Sequence, residues 1–513
     1  MNFASKNAGR VLIALAATTG MIFSIGCGSG SNLGVPNSSG FSKSSLTGTY
    51  VFSSSGQDGN GAPIAVAGSL VSDGNGNITG GTIDVVDAAV SPALSQAVTG
   101  SYSVTSDGRG KANVSNGTIG TFTFDFVLTS GSHGLVTEFD GNGTGSGTLD
   151  IQAAVPTLTQ LAGPYAFSVA GIDASGNSLG SVGAFTLLSN GNITGVEDFN
   201  DAGSPTLAQS LSGTATAPSG TAPGSITLNS GLTFDFFPID LTHLKLIETD
   251  VTLAFLSGDA FTQTGASIPS GPMAFTLSGG VSAPIATGGT MNSDGNGNFT
   301  AGLEDSNVNG AVSSSTFTGA AAAGGSVGGR VLVNLAGFVP ATQLVIYPSS
   351  GGLLMMETDF ATLSLGTAYP QTGTTISASQ GYGFNLSAFN TSVGFEEDDI
   401  AQFNTTTNTF AGVVDINDDT DVTSGQTLAG TYTAPDANGH GSATTTENGN
   451  TFVGFNFYVV NSSTVLVLET DDNQIGTGTF ELQSSSAGAA IARQSHMSMI
   501  RPAARSRIAL RHK

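Results

Sequence analysis

A Glu-x-Asp triplet closes a short apolar run four times in this chain, and its spacing constrains the fold more than any other feature. It reads LVTEFD (Glu138, Asp140), LIETD (Glu248, Asp250), MMETD (Glu357, Asp359) and VLETD (Glu469, Asp471), with successive glutamates 110, 109 and 112 residues apart. Other markers keep the same register. An aromatic opens a strand at Tyr50, Tyr165 and Tyr382, with Met273 in the third copy; a turn and strand align Asp84, Asp198, Asp305 and Asp415; Gln152, Gln263, Gln371 and Gln483 end the units. Solenoid repeats of about 20–50 residues cannot bury a core alone. These units are twice that length and share 30 Phe, so four separate beads are expected.

Within unit one, GTYVFSSS, AVAGSLVS, ITGGTIDVVD, TGSYSVTS, GKANVSN, TFTFDFVL, GLVTEFD and GTLDIQ are short segments divided by turn residues. Phe122, Phe124 and Phe126 alternate with polar or small residues, as a strand with one buried face requires. Asn-Gly and Asp-Gly steps supply hairpin turns. The expected class is all-β: four tandem antiparallel units of about 110 residues, each a barrel or a sandwich, with closure into a barrel favoured because it removes exposed edges. The boundaries read as residues 47–155, 160–266, 270–373 and 376–484, with short polar joints between them. Residues 1–26 read as a signal helix, 27–46 as a flexible tether and 485–513 as a basic disordered tail.

Charge is unevenly placed. All 37 acidic residues lie between positions 27 and 484 with only Lys43, Arg109, Lys111, Lys245 and Arg330, so that stretch carries a formal charge of −32. Such a body is repelled by phosphate backbones, which excludes nucleic acid as a partner. Most of its carboxylates must face water, accept backbone N–H groups or hold a cation.

Lys6 and Arg10 precede a mostly apolar stretch from Val11 to Gly26, shorter than a membrane span. Ser24-Ile25-Gly26-Cys27 follows, and resembles a bacterial lipoprotein lipobox, departing from it at Ser24 where Leu is usual. The resemblance covers the leader only. It implies cleavage before Cys27, diacylglycerol on that residue and a partnership with a membrane through the lipid. Cys27 is the sole cysteine, which rules out an internal disulfide. The repeats that follow resemble bacterial envelope lipoproteins built from β units, a resemblance that brings no activity with it. The expected location is the cell envelope, at the outer membrane or cell surface.

Candidate chemistry rests on carboxylates. Both acids of a Glu-x-Asp triplet point to one face of a strand, and paired carboxylates can coordinate a hard cation or do acid–base work. Glu138, Asp140, Glu248, Asp250, Glu357, Asp359, Glu469 and Asp471 are therefore candidate Ca²⁺ ligands. A recurrence in all four units favours a structural role instead, with the Glu accepting backbone N–H groups at a barrel mouth. Asp73, Asn75 and Asn77 with Asp84, and Asp294, Asn296 and Asn298 with Asp305, imitate the oxygen spacing of a calcium loop. Ile78 and Phe299 stand where that loop needs Gly, so hairpin turns explain them better. No HExxH, P-loop or GxSxG in a strand-to-helix context is present, and no catalytic residue or cofactor site is assigned. The expected role is non-catalytic: adhesion, binding or envelope structure, with a cell-surface polymer or another envelope protein as partner. Barrels holding a small apolar ligand or Ca²⁺ are the alternative, and an exported hydrolase using carboxylate pairs comes last.

Overall fold

The computed structural model describes residues 40–250, 252–323, 327–418 and 421–484. Cys27, the leader, most of the tether and the basic tail lie outside the described residues. Four antiparallel barrels follow one another, each closing when its first strand pairs with its last. They span residues 47–151, 163–262, 270–370 and 381–482 and are numbered barrels 1 to 4. Barrel 1 carries nine strands because one stave is broken: Ala93–Ala97 and Thr99–Val104 both pair with Asn77–Asp87. In barrel 2 the single strand Ser204–Thr216 takes that place. Among the described residues no helix is long and apolar enough to cross a membrane.

Each barrel is filled by its own side chains. Barrel 1 packs Phe52, Phe124, Phe126 and Val136 inward, with the Phe52 and Phe124 rings edge-on at 5.4 Å. Barrel 4 does the same with Phe384, Phe403, Phe455 and Phe480. Each buried Phe contributes roughly 1.5–3 kcal/mol relative to exposure, so every unit has a core of its own. The segments between units are plugs as well as joints. Leu46, Leu161 and Ile268 are buried in the cores of barrels 1, 2 and 3, and Ile376 packs against that of barrel 4. The tether expectation therefore fails at its end. Phe41 and Leu46 are too apolar to stay in water and are buried in the barrel 1 core, where the Tyr50 and Tyr102 hydroxyls bond the carbonyls of Ser45 and Leu46.

The barrels are not separate beads. Barrel 1 packs on barrel 2, 2 on 3, 3 on 4 and 4 back on 1, so they form a closed ring. The opening strands of one unit lie against the later strands of the next, and this explains a pattern that simple alternation misses. Thr47–Asp58 and Pro63–Asp73 are buried along nearly their whole length, because one face lines the core and the other a joint. A shared apolar layer runs from Val51, Ala67 and Val86 through Ile172, Phe237 and Phe261 to Tyr347, Leu354 and Met356, crossing three barrels. A second joins barrels 3 and 4 around Tyr369, Phe389 and Leu468. A small third, Val127, Leu135 and Ile400, joins barrel 4 to barrel 1.

Candidate functional site

The Glu-x-Asp residues sit at one mouth of each barrel. Each glutamate ends a strand and shares a face with an inward residue two positions earlier, Val136, Leu246, Met355 or Val467. All four glutamates are buried. Glu248 accepts the backbone N–H groups of Thr233 at 2.9 Å and Asp250 at 3.2 Å. Burial outweighs these donors and pushes its carboxyl up to about 8. Glu357 accepts the Thr362 and Ser364 hydroxyls, and burial lifts it to about 7. The aspartates lie just past the strand end and tie the neighbouring strand: Asp140 accepts the N–H of Thr123, Asp359 those of Thr342 and Gln343, and Asp471 that of Gly454. Asp250 instead closes its own turn on Thr252. The four pairs stay in four separate mouths, and among the described residues no three His, Cys, Asp or Glu form a group that holds a metal ion.

The DGNGN segments are hairpin turns. One Asp73 oxygen accepts the N–H groups of Asn75 and Asn77, and the Asn77 amide nitrogen donates to the other at 2.7 Å. Asp294 repeats this with Asn296 and Asn298. The Asn side chains turn N–H groups toward the carboxylate, the reverse of a ligand shell. Asp84 and Asp305 are elsewhere altogether, buried at the joints.

The aligned Asp, the Asn two residues later and the terminal Gln are what build the ring. Asn200 of barrel 2 donates to the carbonyl of Thr362 in barrel 3 at 2.8 Å. Asn307 of barrel 3 donates to Asp471 and Gln474 in barrel 4, and Asn417 of barrel 4 to Glu138 and Gly143 in barrel 1 at 2.7 and 2.8 Å. Gln152 bonds Pro238, Gln263 bonds Gly328, Gln371 bonds Asn438 and Val459, and Gln483 returns to Asp107 and Leu128 of barrel 1. The fourth joint thus repeats the other three. Barrel 1 is the exception for the Asn, carrying Val86 within the apolar layer.

Each aligned Asp faces the next barrel. Asp198 accepts Arg330 Nε at 2.8 Å and the Tyr347 hydroxyl at 2.5 Å; Asp305 accepts the Tyr458 hydroxyl at 2.7 Å, with His440 Nε2 at 3.0 Å. Asp84 meets another carboxyl, Asp235, and burial with this like-charge neighbour raises it to about 7. Buried ion pairs flank the same joints. Lys245 Nζ lies 3.0 Å from Asp259 and donates to Thr148 of barrel 1 at 2.8 Å. His133 lies 2.6 Å from Asp150 and 3.2 Å from Glu481 of barrel 4. Burial alone would lower His133, yet these two carboxylates lift it to about 10.

Barrel 4 adds a feature that the repeat markers do not reveal. Glu396, Glu397, Asp398 and Asp399 form one run on the strand Phe395–Thr405, and all four are buried. Alternation sends them two ways. Asp398 faces barrel 1 and accepts the Thr144 and Ser146 hydroxyls, both at 2.6 Å. Glu397 and Asp399 share the inward face of Ala401 and Phe403. Four consecutive acids inside a strand flanked by Phe395, Ile400 and Phe403 were the available signal.

Two of the barrels hold small apolar cavities. Barrel 4 holds an apolar cavity of about 40 Å³ lined by Phe384, Phe403, Phe410, Tyr432 and Phe455 among others, and barrel 1 a similar one of about 40 Å³. Pockets for small organic ligands run to about 300–1,000 Å³.

No family model matches the chain, and no curated protein matches it. Among solved structures, kievitone hydratase from Nectria haematococca overlaps at 9% identity, 64% of this chain, 91% of that chain and a TM-score of 0.18. A variant of the vaccine antigen Transferrin Binding Protein B from Haemophilus parasuis overlaps at 10% identity, 73% and 86% coverage and a TM-score of 0.19. At such scores neither overlap carries an argument about this chain.

Proposed function

We propose that this chain is an exported, non-catalytic envelope lipoprotein whose four-barrel ring is a rigid platform for binding or structure at the cell surface. One observation carries the reading. The Asn, Asp and Gln that recur in register are engaged between barrels, and Gln483 closes the ring on barrel 1 as Gln152, Gln263 and Gln371 join the others. Recurring residues here serve rigidity. Their engagement leaves the outer surface to meet a partner, another envelope protein or a cell-surface polymer. The lipobox resemblance at Cys27 supplies the anchor, and the base-poor acidic body keeps nucleic acid off.

Anchoring is tested by expressing the chain and its Cys27→Ser variant in a bacterial host. The unaltered chain should label with palmitate and sediment with membranes, and the variant should do neither. Equal partitioning of both, without label on either, would remove the lipoprotein reading.

A further inference from the structure

Barrel 4 breaks the pattern of the other three at its acidic mouth. Counting back from the residues that pair with Tyr50, Tyr165, Met273 and Tyr382, the equivalent inward positions are Ile64 and Val66, Leu179 and Ser181, Ile285 and Thr287, and then Glu397 and Asp399. Glu469 enters the same mouth from Thr464–Glu469, on the face of Val465 and Val467. Asp418 pairs in register with Glu397 and follows Ile416 on the inward face. Four carboxylates therefore gather at this mouth, two of them, Glu397 and Asp399, at positions where the other barrels carry no acid.

Their partners set them apart further. Glu248 and Glu357 find N–H or hydroxyl donors, whereas both oxygens of Glu469 and both of Asp399 are buried without a hydrogen-bond partner. Both residues are fully buried. Among the described residues no Lys, Arg or His forms an ion pair with Glu397, Asp399 or Glu469; Glu397 accepts the Gln474 amide at 2.5 Å and a side-chain hydrogen bond from Asn390. Buried like charges of this kind need a counter-charge or protons, since repulsion and lost hydration both oppose ionisation.

We propose that the mouth of barrel 4 binds one hard divalent cation of Ca²⁺ type, held by Glu397, Asp399 and Glu469 with Asp418 at the rim. The donors are all oxygen, which selects hard cations over zinc or copper. Ca²⁺ accepts irregular shells of six to eight oxygens, including bidentate carboxylates, whereas Mg²⁺ demands a strict octahedron. No three of the described acids stand as a ready ligand set, so binding would require the four side chains to close around the ion. The site is single, in contrast to one per Glu-x-Asp pair. The mouth also touches two joints: Asn307 of barrel 3 bonds the Glu469 carbonyl at 3.1 Å, and Asp398, beside Asp399, binds barrel 1. Occupancy would thus stiffen the ring.

The test is calorimetric titration and thermal melting of the full chain, stripped with chelator, near neutral pH. One Ca²⁺ per chain should bind in the micromolar to millimolar range, and the melting temperature should rise. The double variant Glu397→Ile with Asp399→Val, which installs the residues of barrel 1, should lose both responses and melt no lower than the stripped parent. Glu469→Gln, should the double variant fail to fold, should weaken binding about tenfold or more. No heat and no shift with Ca²⁺ or Mg²⁺ would overturn the site in favour of bound protons. An unchanged response in the variants would overturn it too, by placing the ion on the acidic exterior.

Discussion

Asn417 shows how much a single side chain contributes to ring closure. Its amide nitrogen supplies two hydrogen bonds across the joint, to the carbonyls of Glu138 and Gly143, in a site closed to water. An Asn417→Leu variant keeps the volume and strands both acceptors. Unpaired buried polar groups cost about 1–3 kcal/mol each, so urea unfolding should show a loss of about 2–6 kcal/mol for the two. An unchanged midpoint would mean that the joint between barrels 4 and 1 adds nothing to stability. This residue was open to sequence inspection, since Asn200, Asn307 and Asn417 each lie two after an aligned Asp. What the string hides is the partner. Carbonyls have no residue identity, so a side chain bonding the backbone of another unit leaves no second marker to pair with the first. The glutamates were more legible: a recurrent acid at a strand end has few roles open to it, and backbone N–H acceptance is what Glu248 does.

Strands carried most of the legible information, and they carried it unequally. Gly120–Leu128 alternates Phe with polar or small residues, which marks a strand with one inward face. The opening strands carry long runs such as PIAVAGSLVSD because both faces are buried, and such runs announce burial without saying against what. The second face is the joint, and it decides how a unit behaves alone. Barrel 2 cut out as residues 160–266 would expose Ile172, Phe237, Ile247 and Phe261, all buried in the shared layer. It should fold, since its core around Tyr165, Phe167 and Phe236 is its own. It should also self-associate or bind a hydrophobic dye, because exposed apolar patches of this kind seek cover. Sedimentation and dye fluorescence decide the matter: a monomer that ignores the dye and melts with the full chain would show that the joint is dispensable.

At the scale of the molecule, barrel mouths and joints together hold carboxylates where water cannot reach them, and this reverses the usual dependence of stability on pH. Burial raises Glu397 and Glu248 to about 8 and Glu357 to about 7, and Asp84 to about 7, from ordinary values of 4.5 for Glu and 3.8 for Asp. Burial also raises Glu138, Asp399 and Glu469 well above their ordinary values. A group whose folded value exceeds its unfolded one binds more protons in the folded state, so its stabilisation is complete below the unfolded value and disappears as pH rises through the folded one. Between about pH 5 and 8 every one of these groups acts in that direction. His133, raised to about 10 from 6.5, extends the decline upward. Carboxylates held low, such as Asp150 at about 2 beside His133, lose their contribution only in stronger acid and bound the window from below. Stripped of divalent ions, the full chain should therefore melt highest near pH 5 and progressively lower toward pH 8. Exposed like charges on an acidic body add a similar trend, but salt screens that part, so the slope that persists in high salt belongs to the buried groups. Replacing Glu397 and Asp399 by Ile and Val should flatten it, and a slope unchanged in that variant would assign the effect to the surface. Millimolar Ca²⁺ should lift the melting temperature more at the alkaline end of the window than at the acid end, because protons compete with the ion for the carboxylates of barrel 4.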